Sequence, residues 1–262
     1  MKNKGILFGS LIAGLVLVAF SCTKDDVTVP VKPPAAAPPP VSFVEEFDNV
    51  GDLASKGWVF KNNSVPIGQN GWRQGRYEAA TGAQYKFLNP VPFYGFPAHS
   101  ASATPNDFIS CDVTAGNDVN GAADYSAFLI SPQLPLKNGD RLIFYTRAVD
   151  DANYSIYTRD RMQVLANYTD GTASVGNTKT SVGGFTRVLL DINPNYVNND
   201  PGGYPRIWRK YTYTFAGIPG DSVMKGRFAF RYLASDAGIF GGISGNNYPS
   251  CVGIDSLAYI HN

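Results

Sequence analysis

An all-β fold is predicted, a jelly-roll β-sandwich of two antiparallel sheets with long loops, on three observations. Apolar and polar residues alternate with a period of two in run after run of the chain. Glutamate occurs only at positions 45, 46 and 78, and strong helix formers are scarce with it. Long connections rich in Gly, Asn and Asp separate the alternating runs, notably 62–84, 112–124, 191–206 and 236–250. Loops of that length are uncommon in compact domains unless they bind something or fold on themselves.

The alternating runs appear in order. Val41–Phe47 opens the domain, and Ser126–Ser131 is a compact apolar strand closed by Pro132. Asp140–Arg147 follows a Lys-Asn-Gly turn, and Asp160–Ala166 alternates well. Arg209–Phe215 and Arg227–Leu233 place aromatics on one face and polar groups on the other, and Val252–Ile260 closes the chain. About 220 residues follow position 42, a normal length for one sandwich with a sizeable core. No internal repeat of fixed period appears.

Ahead of this domain, Lys2 and Lys4 precede an uncharged apolar stretch that is short for a membrane span and ends in small residues. This is the pattern of a secretory signal over residues 1–21. Ala19-Phe20-Ser21-Cys22 resembles a bacterial lipobox, in which Cys22 carries lipid and becomes the mature terminus. The alternative is ordinary cleavage with Cys22 incidental. Thr23-Lys24-Asp25-Asp26 resembles the charged tag that moves some lipoproteins to the outer face of the outer membrane. Several prolines between Val29 and Pro40 make an extended spacer, so 22–41 is lipid attachment, tag and linker, and 42–262 is the folded domain.

The formal net charge is +1 with a low charged fraction of 16%, which argues against nucleic acid as a partner. With Cys22 assigned to lipid, Cys111 and Cys251 remain. Export permits a disulfide between them, and two buried free thiols are the alternative. Only His99 and His261 occur, and no serine-hydrolase, zinc or phosphate-loop motif is present. Alternation sets Glu45 and Glu46 on opposite faces, which excludes them as an acid and base pair, so no catalytic residues are assigned.

Five segments in order resemble the cleaved-adhesin or choice-of-anchor jelly-roll domains, relatives of the MAM domain. They are EEFDNV…GW at 45–58, YSAFLISPQLPLKNGDRLIFYTRA at 125–148, RDRMQVLAN at 159–167, WRKYTYTF at 208–215, and GRFAFRYLASDAG…YPSCVGIDSLAYI at 226–260. The chain departs from the pattern in its longer loops between 62 and 124 and in an apparent insertion at 191–206. The resemblance implies a non-enzymatic attachment module of a surface lipoprotein. It also implies a structural calcium at Glu46, Asp48 and Asp255, with Asn106 or Asp107 able to complete the shell. The alternative is that Asp255 caps a turn or pairs with an arginine such as Arg231.

Aromatic side chains in the loops suggest a sugar platform, since their faces stack on pyranose rings. Trp72, Tyr77, Tyr85, Tyr94 and Tyr204 are the ligand-binding candidates, with Tyr196 beside them, while Trp58 and Trp208 are expected in the core. The expected function is an adhesin-like monomer binding a polysaccharide, a glycoprotein, or a host or matrix protein. The alternatives are an accessory subunit that docks on an outer-membrane protein and, weakest, a glycoside hydrolase or lyase. Replacing Cys22 with Ser is expected to release the protein from the membrane fraction. Retention of the variant there would contradict lipid attachment.

Overall fold

The structure, a computed structural model, describes residues 42–77, 96–100, 104–117, 121–149, 159–198, 202–219, 223–237 and 249–262. The leader, Cys22, the linker, Tyr85 and Tyr94 lie outside the described residues. Twelve strands form among the described residues: β1 Phe43–Glu45, β2 Val59–Asn62, β3 Arg73–Gln74, β4 Ile109–Asp112, β5 Ala123–Ile130, β6 Leu134–Leu136, β7 Arg141–Ala148, β8 Met162–Asn167, β9 Arg187–Ile192, β10 Arg209–Thr214, β11 Met224–Ala237 and β12 Cys251–Ile260. All their pairings are antiparallel. The first sheet runs β10-β7-β12-β4-β3 with β1 on β12, and the second runs β2-β5-β11-β8-β9 with β6 on β11. The jelly-roll sandwich expected from alternation is the observed fold.

Each sheet is organised around one long strand. In β11, Phe228, Phe230 and Tyr232 point into the core between the sheets, where Phe230 meets Phe144 of β7 edge to face at 5.0 Å. In β12, Val252, Ile254, Leu257 and Tyr259 do the same from the other side. Burying side chains of this size contributes about 1.5–3 kcal/mol each. The parity of β12 would fail after Asp255, but a bulge with Ser256 at φ 47° restores it and keeps Leu257 and Tyr259 inside.

Strand parity also settles the cysteines. Cys251 lies opposite Asp112, and Cys111 lies opposite Val252. The two thiols therefore leave their neighbouring strands on opposite faces of the first sheet. Cys111 enters the central core, and Cys251 joins an outer cluster with Phe96, Phe108 and Val149. Both are free and buried, so the candidate disulfide is not formed.

Asp140, in the turn before β7, ties the end of the chain to the sandwich. Its carboxylate accepts from the Tyr259 hydroxyl, the Lys137 and Asn262 N–H groups, and His261 Nδ1 at 3.0 Å. Burial alone would raise its pKa, but these donors outweigh burial and hold it below the ordinary carboxylate range. A depressed folded value means stability that is present above the ordinary range and lost as pH falls through the folded value. Asp140→Ala is expected to cost about 1–3 kcal/mol at neutral pH and to flatten the acid side of the stability profile. Urea unfolding at neutral and acid pH reads this, and an unchanged midpoint at neutral pH would contradict it.

Candidate functional site

The outer face of the second sheet divides into two halves, as its register shows. One cross-strand row is apolar: Val59, Ile130, Ala229, Leu165 and Val188 lie side by side. The β8–β9 connection folds back over this row as far as Leu165, setting Ala173, Val175, Val182 and Phe185 against it and leaving Val188 at the sheet edge exposed. Gly183 lets the connection cross itself closely. Its φ is 53°, and a Cβ there would lie 2.0 Å from the Ser174 carbonyl oxygen. Two outward arginines of β11 pin the flap by its carbonyls, Arg227 Nε on Gly171 at 2.8 Å and Arg231 Nη2 on Lys179 at 2.6 Å.

In the next row the flap still covers Phe128 and Arg231, while Lys61 is exposed and Gln163 and Asp191 are half-buried. Lys61, Phe128, Arg231, Gln163 and Asp191 are direct neighbours across five strands. Arg161 binds both oxygens of Asp191, at 2.9 and 2.6 Å, and Gln163 adds a third bond at 2.9 Å. The Tyr196 ring lies 5.4 Å from the Arg161 guanidinium, held there by a turn in which Asn193 bonds the backbone of Val197. The hydrogen bonds that Arg161 donates to Asp191 and the contact with Tyr196 outweigh burial and raise the Arg161 pKa.

Beside this row a cleft of ≈ 270 Å³ opens between the flap and the sheet, lined by Asp124, Tyr125, Lys179, Thr180, Arg231, Leu233 and Ser235. Lys179 is ion-paired with Asp124. Arg231 is only 8% exposed, donates to Ser126 Oγ at 3.0 Å, and lies 5.3 Å from the Phe128 ring. Burial lowers its pKa from the usual arginine value.

The aromatic candidates sort differently from the expectation. Trp72 is a core residue, 6% exposed, with its indole N–H on the Ala127 carbonyl at 3.0 Å. The short β3 pairs with β4 and turns the preceding Trp72 inward, so it offers no face to a ligand. Tyr204 is likewise buried, its hydroxyl 2.6 Å from Thr146 Oγ1. Tyr77 is half-buried at the described edge of its loop, where its N–H donates to Asn106 Oδ1. Tyr85 and Tyr94 lie outside the described residues. Trp58 packs in the core against Phe43, Phe47 and Phe228. Trp208 sits on the outer cluster of the first sheet, with its indole N–H on the Pro97 carbonyl.

The acidic candidates lie on the opposite sheet from the cleft. Asp255 Oδ2 accepts from the N–H groups of His99 and Ser100 at 2.7 and 3.0 Å, and Oδ1 accepts from the Ser256 N–H at 2.7 Å. Ser256 Oγ in turn donates to Glu46 at 2.8 Å. Burial raises the Asp255 pKa, and the nearby Glu46 charge raises it further. Arg231 belongs to the other sheet and pairs with neither. Asp48 is exposed, and no three acidic, histidine or cysteine side chains gather among the described residues. Asn106 Oδ1 is taken by Tyr77, and Asp107 accepts from Thr104. Ser256 thus links the Asp255 and Glu46 carboxylates, and Asp48 does not join them.

No family model matches the chain, and no curated protein matches it. Among solved structures, the chain is similar to the K1 cleaved adhesin domain of Lys-gingipain from Porphyromonas gingivalis W83. That likeness has 20% identity and a TM-score of 0.47, and it covers 85% of this chain and 99% of that one. The K3 cleaved adhesin domain of the same protein matches at 16% identity and a TM-score of 0.43, over 83% and 97% of the two chains. The CBM22-2 xylan-binding domain of Xyn10C from Paenibacillus barcinonensis matches at 8% identity and a TM-score of 0.39, over 84% and 99%.

If a cation bridges Glu46 and Asp255, a chelator is expected to lower the melting temperature by several degrees, because a ligand bound only to the folded state stabilises it. An unchanged transition in a sample shown by elemental analysis to be calcium-free would leave the Asp255 hydrogen bonds as the whole of its stabilisation.

Proposed function

We propose that this chain is a non-catalytic module, held by lipid on Cys22 at the cell-surface side of a bacterial outer membrane, that binds polysaccharide or glycoprotein. The binding surface is the cleft together with the partly exposed polar side chains of the second sheet's outer face. The observation that carries this reading is the division of that face. The flap covers Phe128, Ile130, Leu165 and Ala229 at the centre of the face and leaves the polar side chains of Arg161, Gln163 and Asp191 partly exposed beside the Tyr196 ring, with the cleft at the flap's edge. Polar side chains fixed on a rigid sheet suit a hydroxyl-rich ligand that needs positioned donors and acceptors. The carboxylates there are committed to cations, Asp124 to Lys179 and Asp191 to Arg161, which supports binding without an acid and base pair. Calcium between Glu46 and Asp255 belongs to the same proposal, as a brace on the opposite sheet.

A glycan and polysaccharide array with the purified protein tests the reading. Binding to a restricted set of glycans, weakened severalfold by Tyr196→Ala and unaffected by changes at Tyr77 on the other side of the fold, is the expected result. A blank array with folded protein would overturn it, and crosslinking on whole cells would then seek an outer-membrane protein as partner.

A further inference from the structure

We infer that the cleft takes an oxyanion carried on a sugar, so that the ligand is an acidic polysaccharide; this rests on the glycan-binding reading above. Arg231 carries the inference. The residue is 8% exposed, yet among the described residues no carboxylate is ion-paired with it, and its two bonds go to uncharged acceptors, Ser126 Oγ and the Lys179 carbonyl. Guanidinium has five N–H donors in a planar fork. Those two bonds leave three donors without a described acceptor, on a side chain that lines the cleft. Removing a cation from water is costly unless an opposite charge or several acceptors meet it. Here the carboxylate in the same cross-strand row, Asp191, is already held by Arg161 and Gln163.

The other charges of the cleft point the same way. Lys179 and Arg231 stand against a single carboxylate, Asp124, so the lining carries a net positive charge. Asp124 is itself drawn away by Lys179 and by the N–H of Asp236 at 3.1 Å. Thr180 also lines the cleft and brings a hydroxyl, suited to the rest of a sugar ring. A carboxylate matches the guanidinium fork with two parallel bonds, and a sulfate ester offers the same pair of oxygens. The formal charge of the whole chain is only +1, so affinity for polyanions has to come from this local arrangement.

The test is binding of the purified protein to polygalacturonate, to the same polymer reduced at its carboxyl groups, to dextran sulfate and to plain dextran. Selective binding of polygalacturonate over its reduced form assigns a uronate, and selective binding of dextran sulfate over dextran assigns a sulfate ester. Either supports the inference. Arg231→Gln should weaken that binding roughly tenfold or more, and Lys179→Ala should weaken it severalfold. Asp124→Asn removes the cleft's negative charge and should tighten it. The last two changes are at partly exposed side chains and keep the test decisive if Arg231→Gln does not fold. Equal binding of charged and neutral polymers, or indifference to all three substitutions, overturns the oxyanion while leaving glycan binding in place. Binding to no glycan at all, on these polymers or the array, overturns both.

Discussion

Phe228, Phe230 and Tyr232 stand in the core between the two sheets, and the alternation of side chains along β11 sends Arg227, Ala229 and Arg231 to the opposite face. The aromatic packing therefore fixes the height, register and direction of two cations, the half-buried Arg227 and the buried Arg231. Arg227 and Arg231 hold the flap by its carbonyls, and the flap's apolar residues cover the centre of the face. The cleft lies where the flap turns back on itself at Lys179 and Thr180. A one-residue slip of β11 would move the arginines into the core and the phenylalanines into water, so packing strongly opposes it.

The same economy governs the other sheet. In β12, Leu257 and Tyr259 stay inside because Ser256 absorbs a bulge, and that bulge directs its N–H to Asp255 and its hydroxyl to Glu46. Asp255 then anchors the backbone of His99 and Ser100, and the His99 ring stacks on Tyr145 at 3.7 Å. One face of the sandwich is braced by a buried carboxylate and the other by a buried guanidinium. The two charges sit on different sheets and do not neutralise each other.

Much of this was legible in the sequence where alternation was long enough to register. The strands containing Asp140–Arg147, Arg227–Leu233 and Val252–Ile260 were visible, and the aromatic and polar faces of Arg227–Leu233 were visible with them. The short strands were not. Arg73–Gln74 has only two residues and sits between glycines, so Trp72 reads as a loop aromatic until the pairing with β4 draws it into the core. Arg187–Ile192 carries a bulge that breaks its alternation. The flap has four apolar residues at irregular spacing among Gly, Ser and Thr, with no period to betray that they cover a sheet. Cys111 and Cys251 suggest a bridge by count alone, and only the register of β4 and β12 reveals their opposite directions. Arg231 was visible as a cation in a strand, but its burial without a carboxylate depends on neighbours from three other parts of the chain.

The proposed ligand site is the cleft together with the partly exposed polar side chains of the second sheet's outer face. Backbone chemical-shift mapping of the protein during titration with a glycan that it binds tests this most directly. Perturbations confined to Arg161, Gln163, Tyr196, Arg231 to Ser235 and Lys179 to Thr180 are predicted. Perturbations centred instead on His99, Tyr145 and Trp208 would place the ligand on the other sheet and contradict the account.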